Sequence, residues 1–435
     1  MSNDSNQVEN RHRGDADAHR ANPKLKASEW ASKLIGWWNP RAFVVLRFST
    51  YLMAIAAVVW LGYEFWRLLF QTTNMGAIDL RFFHTIDGAW FVGDPVYPAY
   101  GFATYPPASF VILWPFVGWL SFEASRWLWA GTTIAAITWL IRILLRESGA
   151  ESTIERRFIA LIPLAVYATG ATIGNGQLIV HILPCLIASL LILRQSRVTI
   201  WGDILGSALF LAALVKPSLT APFFGIVLFG IGRIRPAIII VIAYILVSLF
   251  SLQFQAAESM TLMAQWYANT QAAMVNPSIF ENSFGNLHST LHALGLGAWL
   301  SAASLSLLML LLAWIALYRH GDLWGLMGVC AIVSLFYTYH GWYDHLLMLI
   351  PVIALFRIAR QTQSPPKQRV VSGILMAATL LSTIAPGGLY LFPSPLREIY
   401  IAGQVGVWIF VLLFLMQQLA STYPKPNGIA GSSVR

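Results

Sequence analysis

Charged residues are scarce in this chain. Of its 435 residues only 11% are Asp, Glu, Lys or Arg, while 57% are hydrophobic, and an ordinary soluble domain carries about 25% charged residues. A soluble core cannot absorb so much apolar sequence. The apolar runs do not alternate with polar residues as the strands of a membrane barrel do, so membrane-spanning helices are predicted.

Cysteine is also scarce, and common nucleotide-binding motifs are absent from the sequence. The two cysteines, Cys185 and Cys330, lie inside apolar runs, which argues against a disulfide framework or a thiolate metal site. The chain has neither a phosphate-binding GxxxxGK[ST] loop nor a dinucleotide fingerprint. Its net charge of +9 is interpreted as a topology signal in the loops of a multispan protein, not as affinity for nucleic acid.

The apolar pattern predicts an all-α polytopic membrane protein with about twelve transmembrane helices. Residues 1–41 are predicted to be a disordered cytoplasmic tail, 42–422 a single membrane domain, and 423–435 a second cytoplasmic tail. The twelve predicted spans are residues 43–66, 124–145, 158–173, 177–193, 203–215, 218–231, 237–254, 297–318, 323–339, 342–356, 370–385 and 399–420.

A thirteenth apolar segment, residues 105–120, is predicted to lie along the outer membrane surface. Counting it as a crossing would invert every later loop, whereas excluding it places most of the 28 Lys and Arg residues on the cytoplasmic side. Residues 67–123 and 255–296 then form outer loops, and the aromatic residues of the first loop predict juxtamembrane helices there.

Carboxylates of the first outer loop are candidates for acid–base chemistry. Asp79 directly follows an apolar stretch, so it is expected at the membrane surface, where partial burial raises a carboxyl pKa toward the range useful for accepting a proton from a sugar hydroxyl. Asp87 fits either a solvated helix face or a second functional group. Asp94, between Gly93 and Pro95, fits a turn.

Basic residues on the outer side are candidates for phosphate binding. Five qualify, and Lys216 is the sharpest, because it interrupts an apolar stretch beside Pro217; it fits either a phosphate partner or a lysine that snorkels to the interface. The other four are Arg67, Arg81, Arg126 and Arg397.

Residues 337–349, YTYHGWYDHLLML, contain His340, Asp344 and His345 at a predicted outer membrane end. If the helix begins early enough, His340 and Asp344 share one of its faces. The group suits metal binding, orientation of a base or a hydrogen bond to phosphate, and histidines hydrogen-bonded at a helix end are the structural alternative.

Two polar segments complete the outer side. In GNGQ (174–177), Asn175 and Gln177 fit hydrogen bonding to sugar or phosphate, while the glycines fit a simple turn. Residues 276–295, which include Asn282, are long enough to form a lid over a site, although such loops are also found disordered.

In this order, the outer loop with GDPVYP and YPP, then GNGQ, LAALVKPS, ENSFGNLHSTLHALG and HGWYDHLLMLIP, resemble the polyprenyl-phosphate-dependent GT-C membrane glycosyltransferases. The closest resemblance is to glycosyltransferase family 87, the mannosyl- and arabinofuranosyltransferase-like group. It implies juxtamembrane helices in the first outer loop, a sugar donor on polyprenyl phosphate, a lipid or glycan acceptor, and inversion at the anomeric carbon.

The resemblance also implies roles for particular residues. Asp79 matches the catalytic base, His345 (with His340 as the alternative) contacts the donor phosphate or supports the base, and Lys216 binds phosphate. Arg81 and Arg397 are added as phosphate partners from charge alone. The expected substrate-binding side chains are Asp87, Tyr105, Asn175, Gln177, Asn282 and Asp344.

No cofactor is expected, and a divalent metal is the alternative. The expected location is a bacterial inner membrane, with the active site on the periplasmic or extracellular side. The competing functions are transport or flipping of a lipid-linked saccharide, which favours polar residues at mid-membrane, and ligation or polymerisation of lipid-linked glycans.

Overall fold

A computed structural model describes residues 23–73, 75–195, 199–275, 291, 294–338 and 340–422. Within these ranges the chain is helical, with one isolated β-bridge between Val166 and Ile384 and no strand. In chain order the helices are α1 (Pro23–Phe70), α2 (Ile78–Val92), α3 (Val96–Ala99), α4 (Pro107–Val117), α5 (Phe122–Glu147), α6 (Thr153–Ala165), α7 (Tyr167–Asn175), α8 (Ile179–Leu193), α9 (Ile200–Ala213), α10 (Pro217–Gly225, continued by a π-helix Ile226–Gly230), α11 (Arg235–Leu252), α12 (Ser259–Val275), α13 (Leu300–Leu317, after a 3₁₀ turn Gly297–Trp299), α14 (Leu323–Phe336), a 3₁₀ helix Trp342–Met348, α15 (Leu349–Arg360), α16 (Pro366–Leu381), α17 (Gly388–Leu391) and α18 (Leu396–Thr422).

Six of the described helical segments are long and apolar enough to cross a membrane. A seventh results if α7 and α8, which meet at a bend of 117°, count as one broken span. Large apolar side chains on α1 stay exposed, including Val58 at 75% and Val59 at 68%, as expected of a helix that faces lipid. The protein is therefore an all-α polytopic membrane protein.

Every predicted span overlaps at least one helix, but span 158–173 is broken at Val166 between α6 and α7, and several helices are shorter than a membrane crossing requires. Ile200–Ala213 and Leu323–Phe336 each contain 14 residues, and about 20 are needed to cross the hydrocarbon layer. The count of twelve spans is not confirmed and stays a prediction.

Two features of the N-terminal half bear on the predicted tail and interface helix. Helix α1 begins at Pro23, so residues 23–41 are helical where a disordered tail is predicted, while residues 1–22 and 423–435 lie outside the described ranges. Helix α4 has 11 residues, which at about 1.5 Å per residue is roughly half the thickness of the hydrocarbon layer. Its length therefore agrees with a helix that does not cross.

A small second core lies beside the main one and joins the first outer loop to α12. It consists of buried side chains from α2, α3, α4 and α12: Ile86, Trp90, Val96, Tyr97, Ala103, Phe110 and Leu262. Asn269 on α12 donates hydrogen bonds to the carbonyls of Tyr97 (2.9 Å) and Tyr100 (3.2 Å), and Trp266 donates to the carbonyl of Thr104 (2.9 Å). These bonds hold the segment before Tyr105 as a wall over the space between α1, α2 and the 3₁₀ helix.

Candidate active site

A large cavity of about 1360 Å³ lies where the outer loop meets the membrane helices. Its walls come from α1, α2, the segment before α4, the α7–α8 turn, α10, α12 and the 3₁₀ helix. Its polar and charged lining side chains are Glu64, Arg67, Gln71, Asp79, Thr104, Asn175, Gln177, Lys216, Ser218, Thr270, Thr338, His340 and Asp344, and its aromatic ones are Trp60, Tyr63, Phe82, Phe83, Phe102, Tyr105, Trp266, Tyr337, Trp342, Tyr343 and Tyr390.

Asp79 lies in the first turn of α2 and lines this cavity. The residue before the helix, Ala77, is held in the left-handed region at φ 50°, and its amide donates to the carbonyl of Gly174 at 3.0 Å. A non-glycine residue in this conformation costs about 1 kcal/mol or more and is often found at functional sites. The backbone contact thus places the N-terminus of α2, and Asp79 with it, against the α7–α8 turn.

The charge on Asp79 is held between opposing influences. Burial raises the pKa of its carboxyl to about 6, a hydrogen bond from Gln177 and the positive charges of Lys216 and Arg67 lower it, and the nearby charge of Asp344 raises it. The N-terminus of a helix also favours a carboxylate. With a pKa of about 6, Asp79 is mostly ionised at neutral pH yet basic enough to accept a proton.

Lys216 and Asp344 form an ion pair on the cavity wall. The Lys216 ammonium donates to both carboxylate oxygens, at 2.8 and 2.9 Å, and the two side chains are 14% and 0% exposed. The Gly341 amide donates to the same carboxylate at 3.2 Å, and the Lys216 nitrogen lies 5.1 Å from the centre of the Tyr343 ring. The predicted phosphate-binding lysine is therefore held by a carboxylate that reaches it from 128 residues away.

A second ion pair on this wall joins Arg67, one of the five outer basic candidates, to Glu64, which the sequence analysis did not nominate. Arg67 donates to Glu64 at 2.6 Å, to the side-chain oxygen of Asn175 at 2.8 Å and to the carbonyl of Met75 at 3.0 Å. The available signal was the spacing, since Glu64 and Arg67 are three residues apart in an otherwise uncharged stretch of helix.

The GNGQ segment serves as a turn and also faces the cavity. Gly176 ends α7 at φ 73°, and a Cβ atom on it would lie 2.5 Å from the Cβ of Leu80. Only glycine fits that conformation and that approach. The turn directs Asn175 and Gln177 to the cavity, so the two alternatives left open by the sequence are compatible.

The two histidines of residues 337–349 differ in position. His340 precedes the 3₁₀ helix that begins at Trp342, so the helix does not begin early enough for His340 and Asp344 to share one of its faces. His340 lines the cavity, whereas His345 lies behind it, 2% exposed. Their Nε2 atoms are 3.1 Å apart, and His345 Nδ1 is hydrogen-bonded to the Tyr167 hydroxyl.

Besides His345, three residues assigned to the site from sequence lie away from the described cavity lining. Asp87 is fully buried on α2, because it packs beside Trp114 and Gly118 of the adjoining segment. Arg81 packs against Phe122, with its guanidinium 4.4 Å from the centre of that ring. Arg397 is at the start of α18 beside Glu398, at 3.4 Å. Asn282 lies outside the described residues.

The described residues contain no group of three or more His, Cys, Asp or Glu side chains placed to hold a metal ion. The divalent-metal alternative thus has no assembled set of ligands in the described ranges. The expectation that the reaction needs no metal stays a prediction.

Comparison with known proteins gives one result. The family model of glycosyltransferase family 87 matches residues 103–338, and no curated protein and no solved structure matches the chain. The matched region includes Asn175, Gln177 and Lys216, whereas Asp79 and Asp344 complete the cavity from outside it. Since more than half of the chain matches this model, the protein is a member of glycosyltransferase family 87.

Proposed function

We propose that this glycosyltransferase moves a mannose- or pentose-like sugar from a polyprenyl-phosphate donor to a hydroxyl of a lipid or glycan acceptor. The observation that carries the proposal is a half-buried carboxylate, Asp79, with a pKa of about 6, in the wall of a cavity bordered by membrane helices. The transfer takes place in one step and inverts the anomeric carbon.

In this mechanism Asp79 is the general base. It accepts the proton of the acceptor hydroxyl while that oxygen attacks the anomeric carbon, and the bond from this carbon to the phosphate oxygen breaks. The electron pair of the broken bond leaves with the lipid phosphate. A single displacement places the new bond on the face opposite the old one, so inversion follows.

The departing phosphate requires a positive partner and no general acid. Lys216 supplies this positive charge. Two of its N–H groups donate to Asp344, and because an ammonium has three donors, the third can donate to phosphate. Asp344 thereby positions the lysine, and His340 on the same wall is placed to donate a hydrogen bond to phosphate oxygen. Preorganised donors of this kind stabilise charge that develops in the transition state.

A lipid-anchored donor suits the position of the cavity. Trp60 and Tyr63, which line it, belong to a candidate membrane span of α1, and Tyr63 is 50% exposed. We propose that this end of the helices faces the outer side of a bacterial inner membrane, in a GT-C architecture of about twelve spans, and the distribution of basic residues supports that orientation. The proposal requires no cofactor.

The test is sugar transfer by purified wild type and Asp79→Asn, with Asp94→Asn as the matched control because Asp94 is an exposed carboxylate of the same loop. We expect Asp79→Asn to lower kcat about 10²- to 10⁴-fold and Asp94→Asn to retain full rate. Full activity of Asp79→Asn would remove the base assignment. If wild type transfers no sugar from any polyprenyl-phosphate donor but moves such a donor across vesicles, the protein is a transporter instead.

A further inference from the structure

Glu64 is a buried carboxylate of the cavity that the proposed mechanism does not use. It lies on α1 one turn before Arg67, its side chain is 0% exposed, and it lines the cavity. A buried carboxylate in a membrane helix is costly and marks a functional position unless its role is satisfied by its partners.

One oxygen of Glu64 is fully engaged. Oε2 accepts the hydrogen bond from Arg67 at 2.6 Å, and it lies so close to Gly174 that a Cβ there would be 1.8 Å away. Arg67 is in turn anchored by Asn175 at 2.8 Å. These contacts fix the plane of the carboxylate.

The other oxygen, Oε1, has no hydrogen-bond partner among the described residues. A buried acceptor left unsatisfied costs about 1–3 kcal/mol, and such a group in a native structure calls for an explanation. Because Oε1 belongs to a residue in the cavity wall, a ligand bound in the cavity can supply the missing partner.

The chemistry of Oε1 indicates which chemical group of a ligand can bind to it. An ionised carboxylate only accepts hydrogen bonds, so the ligand must donate, and a phosphate beside it would be repelled. A sugar hydroxyl donates, is neutral and is present in the donor sugar and in a glycan acceptor. The cavity wall next to Glu64 is aromatic, with Trp60 and Tyr63 on the same helix.

We propose that Glu64 determines sugar specificity by accepting a hydrogen bond from one sugar hydroxyl through Oε1. The inference rests on the proposed function and adds to it a division of the cavity: the Lys216–Asp344 side receives phosphate, and the Glu64–Arg67–Asn175 cluster receives sugar. A site built to bond a hydroxyl discriminates strongly against analogues that lack it, since its own polar group is then left unpaired.

The test compares wild type and Glu64→Gln on two series of substrates, each lacking one hydroxyl at a time, in the donor sugar and in a sugar acceptor. We expect wild type to lose about 10- to 100-fold in kcat/KM with one analogue. The kcat/KM of Glu64→Gln on the complete substrate should be lower by about the same factor, and removal of that hydroxyl should lower it little further. The effects of the substitution and of the missing hydroxyl then do not multiply, because both remove the same hydrogen bond. The series in which this happens, donor or acceptor, identifies the substrate that carries the hydroxyl.

Glu123→Gln is the matched control, because Glu123 is an exposed glutamate in the first turn of α5; its losses should equal those of wild type with every analogue. If Glu64→Gln does not fold, as judged by thermal unfolding in detergent, Glu64→Asp is used, which keeps the charge and shortens the reach of Oε1. The same comparisons are made as binding affinities, so they do not depend on turnover.

The inference would be overturned if, for every hydroxyl in both series, the effect of Glu64→Gln and the effect of the missing hydroxyl multiplied in kcat/KM and in binding affinity. Glu64 would then be a partner of Arg67 only. Transfer by wild type would still support the proposed function in that case. Absence of transfer from every polyprenyl-phosphate sugar, with the Glu64 coupling retained in binding, would instead refute the proposed donor chemistry and keep the sugar site.

Discussion

At the scale of single residues, Asp79 links activity to pH. Because its pKa is raised to about 6 and the base must be ionised, kcat/KM should fall about tenfold per pH unit below 6 and level off above about 7. The measurement is a pH–rate profile of wild type beside Asp94→Asn, which should share the inflection. An inflection near 4, the ordinary value for aspartate, would contradict the burial of this carboxyl.

The same raised pKa also bears on stability. The folded state binds the Asp79 proton more tightly than the unfolded state does, so the stability contributed by this group is lost as pH rises from about 4 through about 6. Asn does not ionise, so Asp79→Asn does not lose stability in this pH range. The inactive variant is therefore expected to unfold at a higher temperature than wild type at pH 7, which thermal unfolding checks within the experiment on activity.

Asp87 provides the contrasting case. Both of its carboxyl oxygens are buried without a hydrogen-bond partner among the described residues, and burial raises its pKa to about 8. The unfolded chain ionises this group near pH 4, so folding becomes less favourable as pH rises from about 4 to about 8. Asp87→Asn should therefore gain thermal stability over wild type, by about 2 °C or more at pH 8 and less at pH 5.

Activity separates Asp87 from the site. Since its side chain does not line the described cavity, Asp87→Asn should keep KM and kcat close to the wild-type values. A large rise in KM would restore the sequence-based assignment of Asp87 to substrate binding.

At the scale of helices, Arg126 determines where α1 ends. It is 6% exposed and donates to the carbonyls of Leu68, Arg67 (3.2 Å) and Gln71 (2.9 Å). These are the carbonyls that a helix C-terminus leaves without partners, and a positive charge there also complements the helix dipole. The sequence analysis grouped Arg126 with the outer phosphate-binding candidates. In the structure its guanidinium caps the C-terminus of α1.

Arg126→Met should therefore destabilise the protein and also weaken the site, because Arg67 lies in the helical turn that loses its cap. We expect a loss of about 2–4 kcal/mol in stability, from buried carbonyls left unpaired, and a higher donor KM. Arg142→Met, an exposed arginine farther along α5, is the control and should show neither effect. An unchanged unfolding temperature in Arg126→Met would show that water replaces the guanidinium.

At the scale of the whole molecule, the proposed mechanism depends on which side of the membrane the cavity faces. Single cysteines at Gly101 and Thr153, both exposed, should react with an impermeant thiol reagent from opposite sides, in a variant that lacks Cys185 and Cys330. Labelling of both from one side would reverse the assignment of residues 105–120 as a non-crossing segment. Ser109 in α4 is unsuitable for labelling, since it is fully buried and bonded to the carbonyl of Val215.

The parts of the fold that were predictable are those decided by local sequence. Apolar runs determined where helices form, and each predicted span overlaps at least one helix, because the demand for internal backbone hydrogen bonds in lipid acts on every segment separately. Short helices were visible as short apolar runs, such as predicted span 203–215 at the position of α9 (Ile200–Ala213). The 117° bend between α7 and α8 depends on how neighbours pack, so hydropathy alone did not reveal it.

The candidate site divides along the same line. The sequence by itself determined that Asp79, Lys216, Asp344, Asn175 and Gln177 are polar residues at apolar boundaries, which is enough to nominate them. Only the tertiary structure decided that Lys216 pairs with Asp344 across 128 positions and Arg67 with Asn175 across 108, that Glu64 joins them, and that Asp87, Arg81 and Arg397 do not. The physical reason is that membrane helices are chosen by their own hydrophobicity, whereas the partner of a buried charge is chosen by packing between segments distant in the chain.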